Sequence, residues 1–271
     1  MPVTIAPTPF GSASRAWVDT YRALAAMPWV AGIGLALLIA LGLAVDLLPP
    51  LLRSGEPETF AASLIWSGAA GMVESFLMTP LAIAIHRHVI LGEVTHRYAF
   101  ALSEHRFLRF FYLSFTLALA QTILIFIAIQ LFPASFNVPV TSDVEGLGLT
   151  VTMAIIFGVL IVLARLILVF PAAAVDSPGA TWANAWRATK GHFWIIIFVF
   201  ALVTLPAISL WLFVGSALNI GSNSRLEQTW FMLYEMPSLC AYAAAASRLY
   251  QVFGAPLGGP PADAAPGTSV V

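Results

Sequence analysis

Charge is what this chain has least of: 9% of its 271 residues are Asp, Glu, Lys or Arg, where a soluble domain carries about 25%. That deficit excludes a solvated globular surface. Cysteine occurs once, as Cys240, so no disulfide can close within the chain. The 12 basic residues are balanced by 13 acidic ones and form no broad basic face, which excludes nucleic acid as a partner. Ten-residue segments of alternating polarity, the mark of a membrane β-barrel, are missing. So are a Gly-x-Ser-x-Gly nucleophile turn, a Gly-rich phosphate loop ahead of a lysine, and a His-Glu-x-x-His metal pair. The loops are too short to hold a soluble catalytic domain. The expectation is a protein that is not an enzyme and carries no cofactor.

What is present is apolar sequence, 60% of the chain. About 20 apolar residues cross a hydrocarbon core, and six runs qualify: roughly Trp29 to Leu48, Phe60 to Ile85, Phe110 to Phe132, Leu147 to Val175, Phe193 to Ile220 and Thr229 to Ala246. A run this long satisfies its own backbone hydrogen bonds only as a helix. The fold expected is all-α: a polytopic membrane protein with six transmembrane helices. It divides into a cytoplasmic N-terminal segment (1–28), a transmembrane domain (29–253), and a tail from residue 254 to 271, rich in Pro, Gly and Ala, expected to be disordered. No cleavage site precedes the first run, which is read as retained.

Lys and Arg set the orientation. Arg15, Arg22, Arg87, Arg97, Arg106, Arg109, Arg187, Lys190 and Arg248 fall on one side, and only Arg53 and Arg225 in the alternate loops. Those loops otherwise hold Glu56, Glu58, Asp143, Glu145 and Glu227. Both termini are therefore expected in the cytoplasm, with all five histidines on the same side.

An internal repeat organises the chain. Trp17 to Trp29 aligns without a gap onto Trp182 to Trp194, matching Trp17 with Trp182, Tyr21 with Trp186, Arg22 with Arg187, Ala23 with Ala188 and Trp29 with Trp194. A weaker third copy runs from His96 to Leu108. Each copy leads into a pair of spans, and the second span of each pair carries a proline (Pro80, Pro171, Pro237), where a bend is expected. Three repeated helical hairpins result, with short interfacial helices in which Trp17, Arg22, Trp182, Trp186, Arg187 and Lys190 meet the headgroups.

Glu74 and Arg165 each stand six residues before a proline, and Glu235 lies at a similar depth in the last span. Counted at 1.5 Å per residue, each falls near the middle of the membrane. An arginine that bridges two carboxylates there would lock the hairpins together. Read functionally, the spare carboxylate is a proton or cation site, or Arg165 holds an anionic headgroup. Ser67, Gly68, Ala70 and Gly71, with Ala243 to Ser247, are small residues that let helices approach. His86 and His88 point about 200° apart on a helix, so a shared metal ion is not expected.

The run Arg165 to Asp176, RLILVFPAAAVD, followed by AWRATKGHFW to Trp194, resembles a bacterial family: the six-span membrane region ahead of the catalytic barrel in some glycerophosphodiester phosphodiesterases, and stand-alone proteins of the same appearance. Arg165, Pro171, Ala172, Asp176, Trp186, Thr189 and Gly191 stand at the places that carry the resemblance. Ala185 stands where Ser is frequent. The resemblance implies a multi-pass protein of the bacterial inner membrane. The barrel is absent, so phosphodiesterase activity does not follow. Two functions are expected in order: a scaffold or accessory module that binds membrane lipid, a membrane protein partner or a second copy of itself; alternatively, a small transporter or channel that uses the midplane carboxylates for a proton or cation.

Overall fold

The computed structural model describes residues 8–52, 60–131, 143–217 and 225–258. Among the described residues there are nine α-helices and no strand: α1 (Pro9–Ala26), α2 (Pro28–Leu52), α3 (Phe60–Leu91), α4 (His105–Leu131), α5 (Asp143–Leu166), α6 (Val169–Ala174), α7 (Trp182–Ala188), α8 (Phe193–Ala217) and α9 (Arg225–Phe253), followed by a 3-10 turn at Ala255–Leu257. Five helical stretches are long and apolar enough to cross a membrane: Pro28–Val45, Trp66–Leu91, His105–Leu124, Met153–Ala174 and Phe193–Val214. The all-helical expectation holds, and the chain is a membrane protein. The loop residues Arg53, Glu56 and Glu58, the side chains of Asp143, Glu145, Arg225 and Glu227, and the tail from 259 onward lie outside the described residues.

Local chemistry sets the helix ends. At α1 the hydroxyl of Thr8 accepts from the Gly11 N–H, with Pro9 in the first turn. Thr181 does the same for α7 by accepting from the Asn184 N–H at 3.2 Å. Helix α3 stops at Gly92, whose φ of +71° suits glycine. Beyond it the third repeat copy departs from expectation: no helix covers His96 to Glu104, and α4 begins only at His105. Its backbone is committed elsewhere. The Thr95 N–H points at the Met27 sulfur, and the Tyr98 hydroxyl reaches back to α3.

Helix α9 is the centre of the bundle and touches α1, α2, α3, α6 and α8. Its second half is lined with small buried residues, Ala241 and Ala243 to Ser247, and ends in buried Leu249, Tyr250 and Gln251. Lipid tails are as apolar as side chains, so helices in a membrane associate through close packing and hydrogen bonds. Small residues supply that closeness. Helix α1 answers with Ala13, Ala16, Thr20 and Ala23 on its buried face, and runs against α8 and α9 while it keeps Phe10, Tyr21 and Arg22 outward.

Helices α3 and α9 run side by side in the same direction. His86 Nδ1 lies 2.7 Å from Ser247 Oγ, and the Gln251 amide donates to the Val89 carbonyl at 3.1 Å. Going back the same twelve residues from His86 and from Ser247 brings both helices to a carboxylate, Glu74 and Glu235.

Prolines interrupt this bundle, and side-chain donors meet carbonyls close to the interruptions. A proline removes one N–H and loosens the carbonyls a turn earlier. Three residues before Pro80, the Leu77 carbonyl accepts from the Tyr98 hydroxyl at 2.5 Å. Three before Pro206 in α8, the Val203 carbonyl accepts from the Trp17 indole N–H at 3.2 Å. Three before Pro237, the Tyr234 carbonyl accepts from the Ser238 hydroxyl at 2.8 Å. Pro206 had carried no weight in the sequence reading. Pro171 acts differently: the helical run breaks after Leu166, and α6 resumes as a buried piece against α3, α4 and α9.

Candidate functional site at the charged end of the bundle

One end of the bundle gathers Asp19 of α1, the ends of α3 and α9, the loop after α6 and the 3-10 turn. Asp19 on α1 is buried and meets Arg248 on α9 through two parallel hydrogen bonds, Nε to Oδ2 at 2.5 Å and Nη2 to Oδ1 at 2.9 Å. Arg248 also donates to Gln251, which in turn holds the Val89 carbonyl. The chain Asp19–Arg248–Gln251–Val89 thus ties three helices through satisfied polar groups. Such a network stabilises because none of its members is left unpaired.

A second network holds the loop after α6. Arg87 grips Glu93 with two bonds, at 2.6 Å and 2.7 Å, and its Nη1 donates to the Ala174 carbonyl at 3.1 Å. Asp176, in the left-handed region at φ +56°, lies 3.4 Å from Arg87 and 3.2 Å from Arg106. Arg106 also faces Glu104 at 3.8 Å, and Arg109 donates to the Ala180 carbonyl. The hydrogen bonds from Arg87 hold the exposed Glu93 carboxyl below its ordinary value. Burial lifts the Tyr98 phenol above its own, so the group stays a donor to Leu77.

The C-terminal turn docks onto the same loop. Ser177 donates to the Leu257 carbonyl, and Leu257 is buried. Gly179 is required here, because a Cβ would fall 2.6 Å from the Leu257 carbonyl carbon. The residues 254–258, assigned to the disordered tail from sequence, are therefore ordered as far as Gly258.

Each residue singled out from the sequence has a definite place. Arg165 is joined to neither carboxylate. Its Nη1 donates to the Thr189 carbonyl at 2.7 Å, its guanidinium carbon lies 4.6 Å from the centre of the Trp186 ring, and the Thr189 hydroxyl returns a bond to the Arg165 carbonyl at 3.1 Å. Pro171 explains the difference. The break after Leu166 prevents the straight helix on which the midplane count for Arg165 relied. Glu74 and Glu235 remain together, half-buried and within electrostatic reach of one another. Trp17 is half-buried with its N–H engaged, while Arg22, Trp182, Trp186, Arg187 and Lys190 are exposed. Pro80 and Pro237 lie inside α3 and α9. No group of three metal-binding side chains occurs among the described residues. His88 lies 3.1 Å from the Glu93 carbonyl, and His192 stacks on Phe253 at 4.3 Å between ring centres.

The sequence reading missed Asp19, His86 with Ser247, Tyr98 and Gln251. A polar residue inside an otherwise small-residue helix face is the signal that marks each of the first two.

No family model matches the chain, and neither does any curated protein or any solved structure.

Proposed function

We propose that the protein is a non-enzymatic membrane module whose cytoplasmic face binds anionic phospholipid and serves as a scaffold in the membrane. The observation that carries this reading is the way charge is sorted at the one end. Asp19, Glu93, Glu104 and Asp176 are each paired with an arginine of the chain. Arg15, Arg22, Arg97, Arg187 and Lys190 are exposed and meet no acidic group among the described residues. The field that remains is positive, at the level where Tyr21, Trp29, Trp186 and Trp194 are also exposed. Exposed aromatics beside unpaired cations fit the headgroup region of a negatively charged leaflet.

The proposal includes six spans, with α9 as the sixth, and both termini in the cytoplasm. On the resemblance of the Arg165 to Trp194 stretch, the proposal also takes that membrane to be the inner membrane of a bacterium. It includes three repeated hairpins. Under the gapless alignment, Thr20 pairs with Ala185, Ala23 with Ala188 and Leu38 with Val203, all buried, while the outward pairs Tyr21 with Trp186, Arg22 with Arg187 and Trp29 with Trp194 are all exposed. A common ancestor for the first and third units accounts for both faces at once.

A second reading, transport of a proton or cation, is favoured by one observation: Glu74 and Glu235 stand at the same level of adjacent parallel helices with no ion pair to a basic side chain among the described residues.

The lipid reading is tested in nanodiscs that mix phosphatidylglycerol with phosphatidylcholine. Purified protein should retain phosphatidylglycerol in excess of its share of the mixture. Replacing Arg15, Arg22 and Arg97 together with Ala should weaken that enrichment, by about fivefold per residue if each contributes on the order of 1 kcal/mol. Equal retention of the two lipids by the parent protein would remove the basis of the reading.

A further inference from the structure

Arg165 is held in place but meets no counter-charge among the described residues. It is the penultimate residue of α5, and its guanidinium meets Trp186 and Thr189, which lie just ahead of the span that starts at Phe193. The Thr189 carbonyl and the face of Trp186 fix the plane of its guanidinium from two directions. The rest of the N–H fork meets no acceptor among the described residues. Of the helices against α5, none of α4, α7 and α8 contains an Asp or Glu, and the acids of α5 itself, Asp143 and Glu145, lie at its other end.

A partly buried guanidinium without a carboxylate calls for an anion from outside the chain. Directly after Thr189 comes Lys190, exposed and with no ion-pair partner among the described residues. A planar fork suits a phosphate, which it can hold by two parallel bonds, and Lys190 follows directly on the residue that anchors the fork. Trp186, exposed by 44% beneath the guanidinium, offers an apolar face to whatever lies beyond that phosphate.

We infer that Arg165 and Lys190 form a discrete binding site for the phosphate of one anionic phospholipid, with Trp186 as its floor. This rests on the lipid reading above and sharpens it from a general surface to one place. Free inorganic phosphate shares the same chemistry, and the experiment separates the two sources.

Native mass spectrometry of the full chain in detergent, titrated with phosphatidylglycerol, should show one lipid retained at fixed stoichiometry. Arg165→Gln should weaken its retention about tenfold, the loss expected for a charge-assisted hydrogen bond. Lys190→Ala, at an exposed position, should weaken it severalfold with the thermal unfolding midpoint unchanged, so that the site is tested even where the Arg165 variant fails to fold. Retention unchanged in Lys190→Ala together with Trp186→Ala overturns the site. Displacement of the lipid by millimolar inorganic phosphate that itself remains bound would assign the site to free phosphate and overturn the lipid assignment. Nanodisc enrichment of phosphatidylglycerol that survives Arg165→Gln and Lys190→Ala overturns this site alone. No enrichment in the parent overturns the site and the broader reading together.

Discussion

Asp19 and Arg248 are separated by 229 positions in the chain and meet through two hydrogen bonds, with the Asp19 side chain 9% exposed and that of Arg248 29%. Removing one member of a buried pair strands the other, at a cost of about 3–5 kcal/mol when burial is complete. Arg248 retains Gln251 and some solvent, so Asp19→Asn is expected to lose about 2–3 kcal/mol. Arg248→Met should lose a similar amount alone and much less in the Asp19→Asn background. Reversible unfolding in mixed micelles measures that cycle, and strict additivity of the two losses would show that the pair is not coupled. No such pairing is legible in sequence. Asp19 reads as one more polar residue ahead of the first span, and its partner is fixed only when α1 folds back along α9. Arg165 shows the same limit from the other side. Its rarity was plain, but its partner was not, because the helix that would have carried it toward Glu74 ends one residue later.

At the scale of elements, apolar runs announce helices well, because a long run without charge has one way to satisfy its backbone in lipid. Their order in space is another matter. Hydropathy measures each helix against its solvent and never against another helix, so the central place of α9 went unread. Its Ala and Ser residues matter through close approach, which a hydropathy scale does not register. The weak third repeat copy misled for a related reason: its aromatic and basic residues suit an interfacial helix, yet Tyr98 is spent on the Leu77 carbonyl and the segment is drawn out to reach it. That bond leads to a prediction. Tyr98→Phe leaves a half-buried carbonyl without its donor and should cost about 1–3 kcal/mol. Pro80→Ala restores an N–H to the Phe76 carbonyl and lets the turn straighten, so that the Leu81 N–H meets Leu77 in regular geometry and the cost of Tyr98→Phe should fall below about 1 kcal/mol. Trp17→Phe with Pro206→Ala repeats the test at Val203. Equal losses with and without the proline would mean that the aromatic donors do not serve the interrupted helices.

For the whole molecule, the decisive question is whether the two carboxylates between α3 and α9 carry anything. As an ion-paired centre, Glu74 would be needed by Arg165, and Glu74→Gln would destabilise the bundle. The structure removes that dependence, since Arg165 is engaged by Thr189 and Trp186. What remains is two half-buried acids at the same level of adjacent parallel helices, where like charges disfavour each other. Gln keeps the shape of Glu and ends that repulsion. Glu74→Gln is therefore expected to unfold at the same temperature as the parent or a few degrees above it, a shift that differential scanning calorimetry in detergent resolves. In liposomes carrying a pH gradient and an interior pH dye, the scaffold reading expects parent and variant to match protein-free vesicles. A parent that dissipates the gradient faster than empty vesicles, with the excess lost in Glu74→Gln while the thermal midpoint holds, would make the bundle a proton or cation path. The exposed cations at the charged end would then be its mouth rather than its purpose.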